Sequence, residues 1–152
     1  MKILSIYFVQ HGWALAKNLD EQRPLSTVGI DETRGVAIKL KSQNIAIKKI
    51  FHSGKLRAAQ TATLFAEILN IQSIAELSGM NPNDDPCRLI EQLSEDGAMY
   101  IGHLPHMQNV VSTLVTNNAN SNIVEFQNSA VVCLEISEDR ANFKWIITPN
   151  VK

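Results

Sequence analysis

Apolar positions in this chain follow two periods that take turns, one of a strand and one of a helix. Residues 3–9 are apolar apart from Ser5, rich in β-branched and aromatic side chains, and too few for a helix. They predict a buried strand that stops at Gln10-His11-Gly12, where Gly12 permits a sharp turn and a close ligand. Residues 13–25 are polar and broken and read as a loop containing Arg23-Pro24-Leu25. A helix follows over residues 27–42, capped by Ser26, with Gly29 in its first turn and Asp31 and Glu32 near its positive end. Val28, Val36, Ile38 and Leu40 supply its apolar side. Residues 47–51 form a short strand before His52-Ser53-Gly54, and Arg57 opens a helix that runs to about residue 70.

Residues 74–77 predict a further short strand, and Asn81-Pro82-Asn83-Asp84-Asp85-Pro86 is a turn signal. Pro86 suits the first turn of a helix reaching about residue 93. A buried strand over residues 98–101 ends at Gly102-His103, and a helix follows over residues 104–115. Residues 130–136 and 142–147 close the chain as a hairpin joined through Glu138-Asp139-Arg140, with Phe143 and Trp145 in the core. Strands alternating with helices imply an α/β fold: a three-layer α/β/α sandwich whose mostly parallel sheet carries an antiparallel hairpin at one edge. No repeat or linker interrupts residues 1–152, which are expected to form a single domain.

Composition narrows the class without changing that picture. Hydrophobic residues make up 45% and charged residues 19%, as in ordinary globular domains. A net charge of −1 argues against a dedicated nucleic-acid surface, and no apolar run approaches a membrane span. Lys2, the apolar run and Ala14-Leu15-Ala16 faintly imitate a signal peptide, but the run is short and Gln10-His11-Gly12 interrupts it. Cys87 and Cys133 show no paired spacing, so a reducing cytoplasm with idle or buried thiols is expected.

The candidate chemistry sits at strand ends. One strand delivers His11, another Ser53 and, a turn later, Arg57, and a third His103 after Gly102. If these strands are parallel neighbours, two histidines and an arginine meet at the carboxyl edge of the sheet, where ligands of open α/β sheets bind. A guanidinium fork suits phosphate oxygens, so the expected site is an anion pocket.

On these residues the chain resembles the histidine phosphatase superfamily, and within it the small SixA-type phosphohistidine phosphatases, of phosphoglycerate mutase-like fold. The family's strand-then-Arg-His-Gly is matched by Gln10-His11-Gly12, and its Arg-Pro-Leu-Thr-x-x-Gly by Arg23-Pro24-Leu25-Ser26-Thr27-Val28-Gly29. Its Ser-Pro-x-x-Arg-Ala-x-Gln-Thr is matched by Ser53-Gly54-Lys55-Leu56-Arg57-Ala58-Ala59-Gln60-Thr61, and its Gly-His-x-Pro by Gly102-His103-Leu104-Pro105. Asn128-Ser129-Ala130 and Trp145 extend the likeness through the closing hairpin.

The resemblance implies that His11 attacks phosphorus in line and that Arg57 and His103 hold and stabilise the phosphoryl group. Gln10, Arg23 and Ser53 are then phosphate or substrate contacts, with Ser53 open to either that role or capping the helix of Arg57. It implies no metal or other cofactor, because these side chains take the cation's place; His103-x-x-His106 lacks further ligands for zinc. The implied partner is a phosphohistidine protein, with no nucleic acid or membrane, and a monomer is expected. Three departures stand out. Gln10 replaces the family's first arginine, Gly54 its proline, and Trp13 an acidic residue common in SixA-like relatives. Larger relatives use a carboxylic acid to protonate the leaving group; Asp84 and Asp85 occupy a suitable loop but read as a turn. A missing acid fits a phosphoramidate, whose imidazole leaves readily. The alternatives are a small-molecule phosphomonoesterase of the same fold, or a weakly active or inactive phospho-ligand-binding module resting on Gln10. His52 is expected beside its strand end, buried.

Overall fold

The computed structural model describes residues 2–149. Its elements are β1 (Leu4–Gln10), α1 (Thr27–Ser42), β2 (Lys49–His52), α2 (Leu56–Leu69), β3 (Ile74–Glu76), α3 (Pro86–Ile90), β4 (Ala98–Gly102), α4 (His106–Thr116), β5 (Val131–Ile136) and β6 (Ala141–Ile147). The strands make one sheet in the order β3-β2-β4-β1-β5-β6. β3, β2, β4 and β1 are parallel, while β5 runs antiparallel to β1 and pairs with β6 in the expected edge hairpin.

Alternation along β1 shows why the sheet is covered on both faces. Tyr7 and Val9 point into a core built with Val36, Ala37 and Leu40 of α1 and Ala58, Ala62 and Phe65 of α2. Ile6 and Phe8 point the other way, into a core with Leu89 of α3, Met107, Val110 and Val111 of α4, and Val124 and Phe126. A strand buried on both faces has to read as a continuous apolar run, which is what residues 3–9 supply.

Several element details differ from expectation. The buried face of α1 is Gly29, Thr33, Val36, Ala37 and Leu40, whereas Val28 and Ile38 are more than half exposed. Its first turn carries no acid, since Asp31 and Glu32 begin the second. α4 starts at His106 and not at Leu104, because a residue before proline is pushed out of the helical region. α3 stops at Ile90, a turn early. Pairing of the hairpin shifts register between Cys133 and Leu134, so Trp145 sits opposite Cys133 and Phe143 opposite Leu134. Trp145 packs on Tyr7 with ring centroids 5.8 Å apart, but Phe143 is left 42% exposed on the edge strand. Cys133 is buried and Cys87 exposed, both as free thiols. None of the described helices is long and apolar enough to cross a membrane.

The register fixes the site. Gln10 lies opposite Gly102, and His52 opposite Ile101, so β1, β4 and β2 end at one level of the sheet.

Candidate active site

His11 follows β1 directly, and its backbone N–H extends the ladder by donating to Gly102 O at 3.0 Å. Its side chain is fixed by its own loop: Nδ1 lies 2.7 Å from Gly12 O. A carbonyl only accepts, so Nδ1 carries the proton and Nε2 keeps its lone pair. Arg57, in the first turn of α2, approaches that lone pair with Nε at 3.4 Å. The His103 ring stands 5.0 Å from the His11 ring, centroid to centroid.

These groups enclose a pocket of about 400 Å³ lined by Gln10, His11, Trp13, Ala14, Arg23, Arg57, Pro82, His103, Leu104 and Asn128. Two guanidinium groups face it and, among the described residues, no carboxylate does. Burial lowers the His11 imidazole to about 4 despite the opposing bond to Gly12, and Arg57 and Arg23 push the same way. His103 falls to about 3, first through burial and then through the positive charge of His11 and Arg57. Both rings are therefore neutral near pH 7. Burial and the like charge of Arg23 lower Arg57 too. A pocket whose cations repel each other and whose histidines are deprotonated binds an anion favourably, because the anion relieves all of these at once.

The surroundings explain the motif residues. Gly12 has ordinary backbone angles, so conformation is not what demands it there. An added Cβ would meet Thr33 Oγ1 at 2.8 Å and Ser129 Oγ at 3.1 Å, two hydroxyls bonded to each other at 2.7 Å beneath the loop. Gly29 is needed for a similar reason, since a Cβ would lie 2.1 Å from Trp13 O. That contact lets the loop from Trp13 lie on α1, where Trp13 O accepts from Ser26 N at 2.9 Å. Ser26 caps α1 as expected, its Oγ accepting from Gly29 N at 3.0 Å. Arg23 is held by its Nε donating to Leu15 O at 3.1 Å. Gly54 has φ +92°, a conformation closed to the proline it replaces.

Of the six residues singled out, five line the pocket: Gln10, His11, Arg23, Arg57 and His103. Ser53 does not. Its Oγ sits 2.6 Å from His103 Nε2, which occupies it from beneath. Nor is it the cap of α2, whose N-cap residue is Lys55 without a side-chain cap; Ser53 Oγ accepts only a longer 3.3 Å bond from Lys55 N. Asp84 and Asp85 serve the turn and α3, accepting from Asn81 N at 2.9 Å and from Cys87 N at 3.0 Å. His52 is half-buried, with Nδ1 accepting from Gly54 N at 3.0 Å.

Two supports escaped the sequence reading. Thr61 Oγ1 accepts from Gly12 N at 3.0 Å while donating to Arg57 O at 2.7 Å, which ties the His11 loop to the helix of Arg57. Asn128 donates through Nδ2 to His11 O at 3.0 Å. Both lie inside the matched segments; for Thr61 the signal available was a polar residue on the otherwise apolar face of α2, whereas Asn128 lies in a turn before β5.

Comparison with known proteins agrees with this geometry. No family model matches the sequence. The chain is 30% identical over 158 aligned positions to phosphohistidine phosphatase SixA of Escherichia coli K12, covering 96% of this chain and 94% of the relative. Among solved structures, protein histidine phosphatase SixA complexed with tungstate superposes with a TM-score of 0.82 at 28% identity, covering 96% of this chain and 97% of that one. A provisionally named SixA phosphohistidine phosphatase of Agrobacterium tumefaciens has the same fold, with a TM-score of 0.79 at 20% identity over 96% and 98% of the two chains. With the ordered motifs, the strand-end pocket and full-length similarity in agreement, the chain belongs to the SixA-type branch of the histidine phosphatase superfamily and is a phosphatase.

Proposed function

We propose that this protein hydrolyses phosphohistidine on a protein substrate, with His11 as the phosphoryl acceptor. The observation that carries the reading is the His11 ring itself: Nδ1 tethered to Gly12 O at 2.7 Å and Nε2 unprotonated beside Arg57. A neutral imidazole held in one tautomer is a competent nucleophile near pH 7.

In the first step His11 Nε2 forms a bond to phosphorus as the substrate's N–P bond breaks in line. The departing imidazole leaves neutral when its other nitrogen already bears a proton, so no protein acid has to supply one. That agrees with a pocket free of carboxylates among its lining residues. Arg57, Arg23 and His103 take the phosphoryl oxygens, and Ser53 positions His103. Water then attacks phosphorus, breaks the His11 N–P bond and releases inorganic phosphate. Transfer of this kind is mostly positioning and electrostatics, which these groups supply.

A second reading rests on Gln10, which lines the pocket with its Oε1 buried and without a partner among the described residues. A neutral amide in place of a cation loses a charge-assisted bond of roughly 1.5–3 kcal/mol, so a slow enzyme or a phosphate-recognising module is the alternative. The test is trapping. Incubation with a labelled phosphohistidine protein should give an acid-labile label on this chain that is absent in His11→Ala. A faster turnover of sugar phosphates than of phosphohistidine would replace the substrate assignment. Retained phosphate binding with neither label nor turnover would establish the module.

A further inference from the structure

Beside the pocket lies a second cleft of about 300 Å³, lined by Trp13, Glu32, Gln127, Asn128 and Pro149. It shares Trp13 and Asn128 with the phosphoryl pocket, so the two are neighbours across one wall. Its character is opposite. Among the described residues, the pocket holds two guanidiniums and no carboxylate, and the cleft holds a carboxylate and no cationic side chain.

Glu32 is the unusual group. Its Oε1 is shut off from solvent and has no hydrogen-bond partner among the described residues. Burial raises its carboxyl above the usual range. It takes part in none of the ion pairs formed among the described residues, which are Lys48–Asp96, Lys49–Glu95 and Lys144–Glu135. Lys39 lines a further cleft together with Glu32, Asp31, Gly35 and Pro149, but directs Nζ to Thr148 O at 2.7 Å. A carboxylate oxygen held out of water without a donor costs stability. It repays that cost when a ligand brings a donor. Trp13 lines the same cleft and is 54% exposed, an indole whose face attracts cations.

We infer that the Glu32–Trp13 cleft is a cation subsite that takes a lysine or arginine side chain flanking the phosphohistidine of the substrate protein. This rests on the phosphohistidine reading of the neighbouring pocket and adds a substrate class to it. The two sites together form a dipole: phosphoryl toward Arg23 and Arg57, cation toward Glu32. A substrate carrying both charges in that order is favoured in one orientation only, because reversal sets cation against cation.

The test uses peptides bearing a stable phosphohistidine analogue, a phosphonate-substituted triazole, with lysine or the isosteric norleucine as neighbour. Binding is titrated on the full chain by calorimetry, so the result does not depend on turnover. Wild type should bind the lysine peptide about 5- to 10-fold more tightly, and the preference should shrink as salt rises. In Glu32→Gln the preference should fall below 2-fold, and Glu32→Lys should reverse it in favour of a glutamate-flanked peptide. The ratio is internal to each variant, so partial misfolding does not mimic it. Equal binding of both peptides by wild type, or an unchanged preference in Glu32→Gln, would overturn the subsite. Failure of wild type to hydrolyse a phosphohistidine protein, with the lysine preference intact, would instead count against the catalytic reading alone.

Discussion

Thr61→Val is the most informative substitution the structure offers, because it changes one atom's chemistry at almost constant volume. Thr61 Oγ1 is the acceptor for Gly12 N at 3.0 Å, and that pair is buried. The valine variant leaves a backbone N–H without an acceptor where water does not reach, which costs about 1–3 kcal/mol. For a chain of this length each kcal/mol lowers Tm by roughly 2–4 °C, so a fall of roughly 2–12 °C is expected. The damage should also reach turnover. Gly12 supplies the carbonyl that holds His11 Nδ1, and Thr61 bonds in turn to Arg57 O at 2.7 Å. Loosening that link lets the two groups flanking the phosphoryl drift apart, so kcat should drop more than KM rises. The control is Thr61→Ser, which keeps the hydroxyl and loses one buried methyl, worth about 1 kcal/mol. Thermal denaturation followed by circular dichroism, with steady-state turnover of phosphohistidine, reads both effects. If serine and valine variants match in Tm and in kcat, the hydroxyl is not what joins the loop to α2.

Three further outcomes are expected. His11 and His103 sit at about 4 and about 3 when folded, below the ordinary 6.5. The unfolded chain therefore binds protons that the native state refuses as pH falls from 6.5 toward 4, and stability present above 6.5 is lost by up to roughly 2–3 kcal/mol per pH unit from this pair. Urea midpoints measured between pH 7.5 and 4.5 should fall steeply in wild type and less in a His11→Asn, His103→Asn double variant; parallel curves would contradict the assignment. Gln10→Arg should raise kcat/KM by roughly 10-fold or more by restoring a charged donor, and unchanged or lower turnover would mean the pocket is matched to glutamine. Ser53→Ala should lower kcat by roughly 10-fold through His103, which loses its 2.6 Å partner, with little change in KM; rescue by Ser53→Thr and a shifted pH–rate profile would separate positioning from general destabilisation.

The parts of the fold legible in the sequence were those where one force dominates. β1 is buried on both faces and has no choice but a continuous apolar run, and α1 carries its own cap in Ser26, so its bounds were readable. Where a second force competes, residue type alone does not decide the structure. Val28 and Ile38 look like a helix core by type, but α1 packs through the small residues Gly29, Thr33 and Ala37 because the Trp13 loop lies so close. Phe143 and Trp145 share a strand face by spacing, and the register shift opposite Cys133 parts them. In the site, His11, Arg57 and His103 were recognisable because strand ends in a parallel sheet converge. Ser53 was open by sequence to a phosphate contact or a helix cap, and only the meeting of β2 with β4 shows His103 at its hydroxyl. Glu32 was invisible as a site residue, since a glutamate on an amphipathic helix ordinarily faces water.

The level ends of β1, β2 and β4 have a consequence for how the pocket fails. His11 donates its amide to Gly102 O, so the residue next to His103 is part of the same ladder as the residue carrying the reactive ring. Local fraying would have to break bonds at the centre of the sheet, between the strand pairs that share its two cores. The amides of Val9, His11 and Ile101 should therefore exchange with solvent only through global unfolding, as slowly as any in the molecule. The backbone that carries His11 and ends β4 then has no partly open form of its own: its lifetime is that of the native state, and a stabilising change anywhere in either core prolongs it.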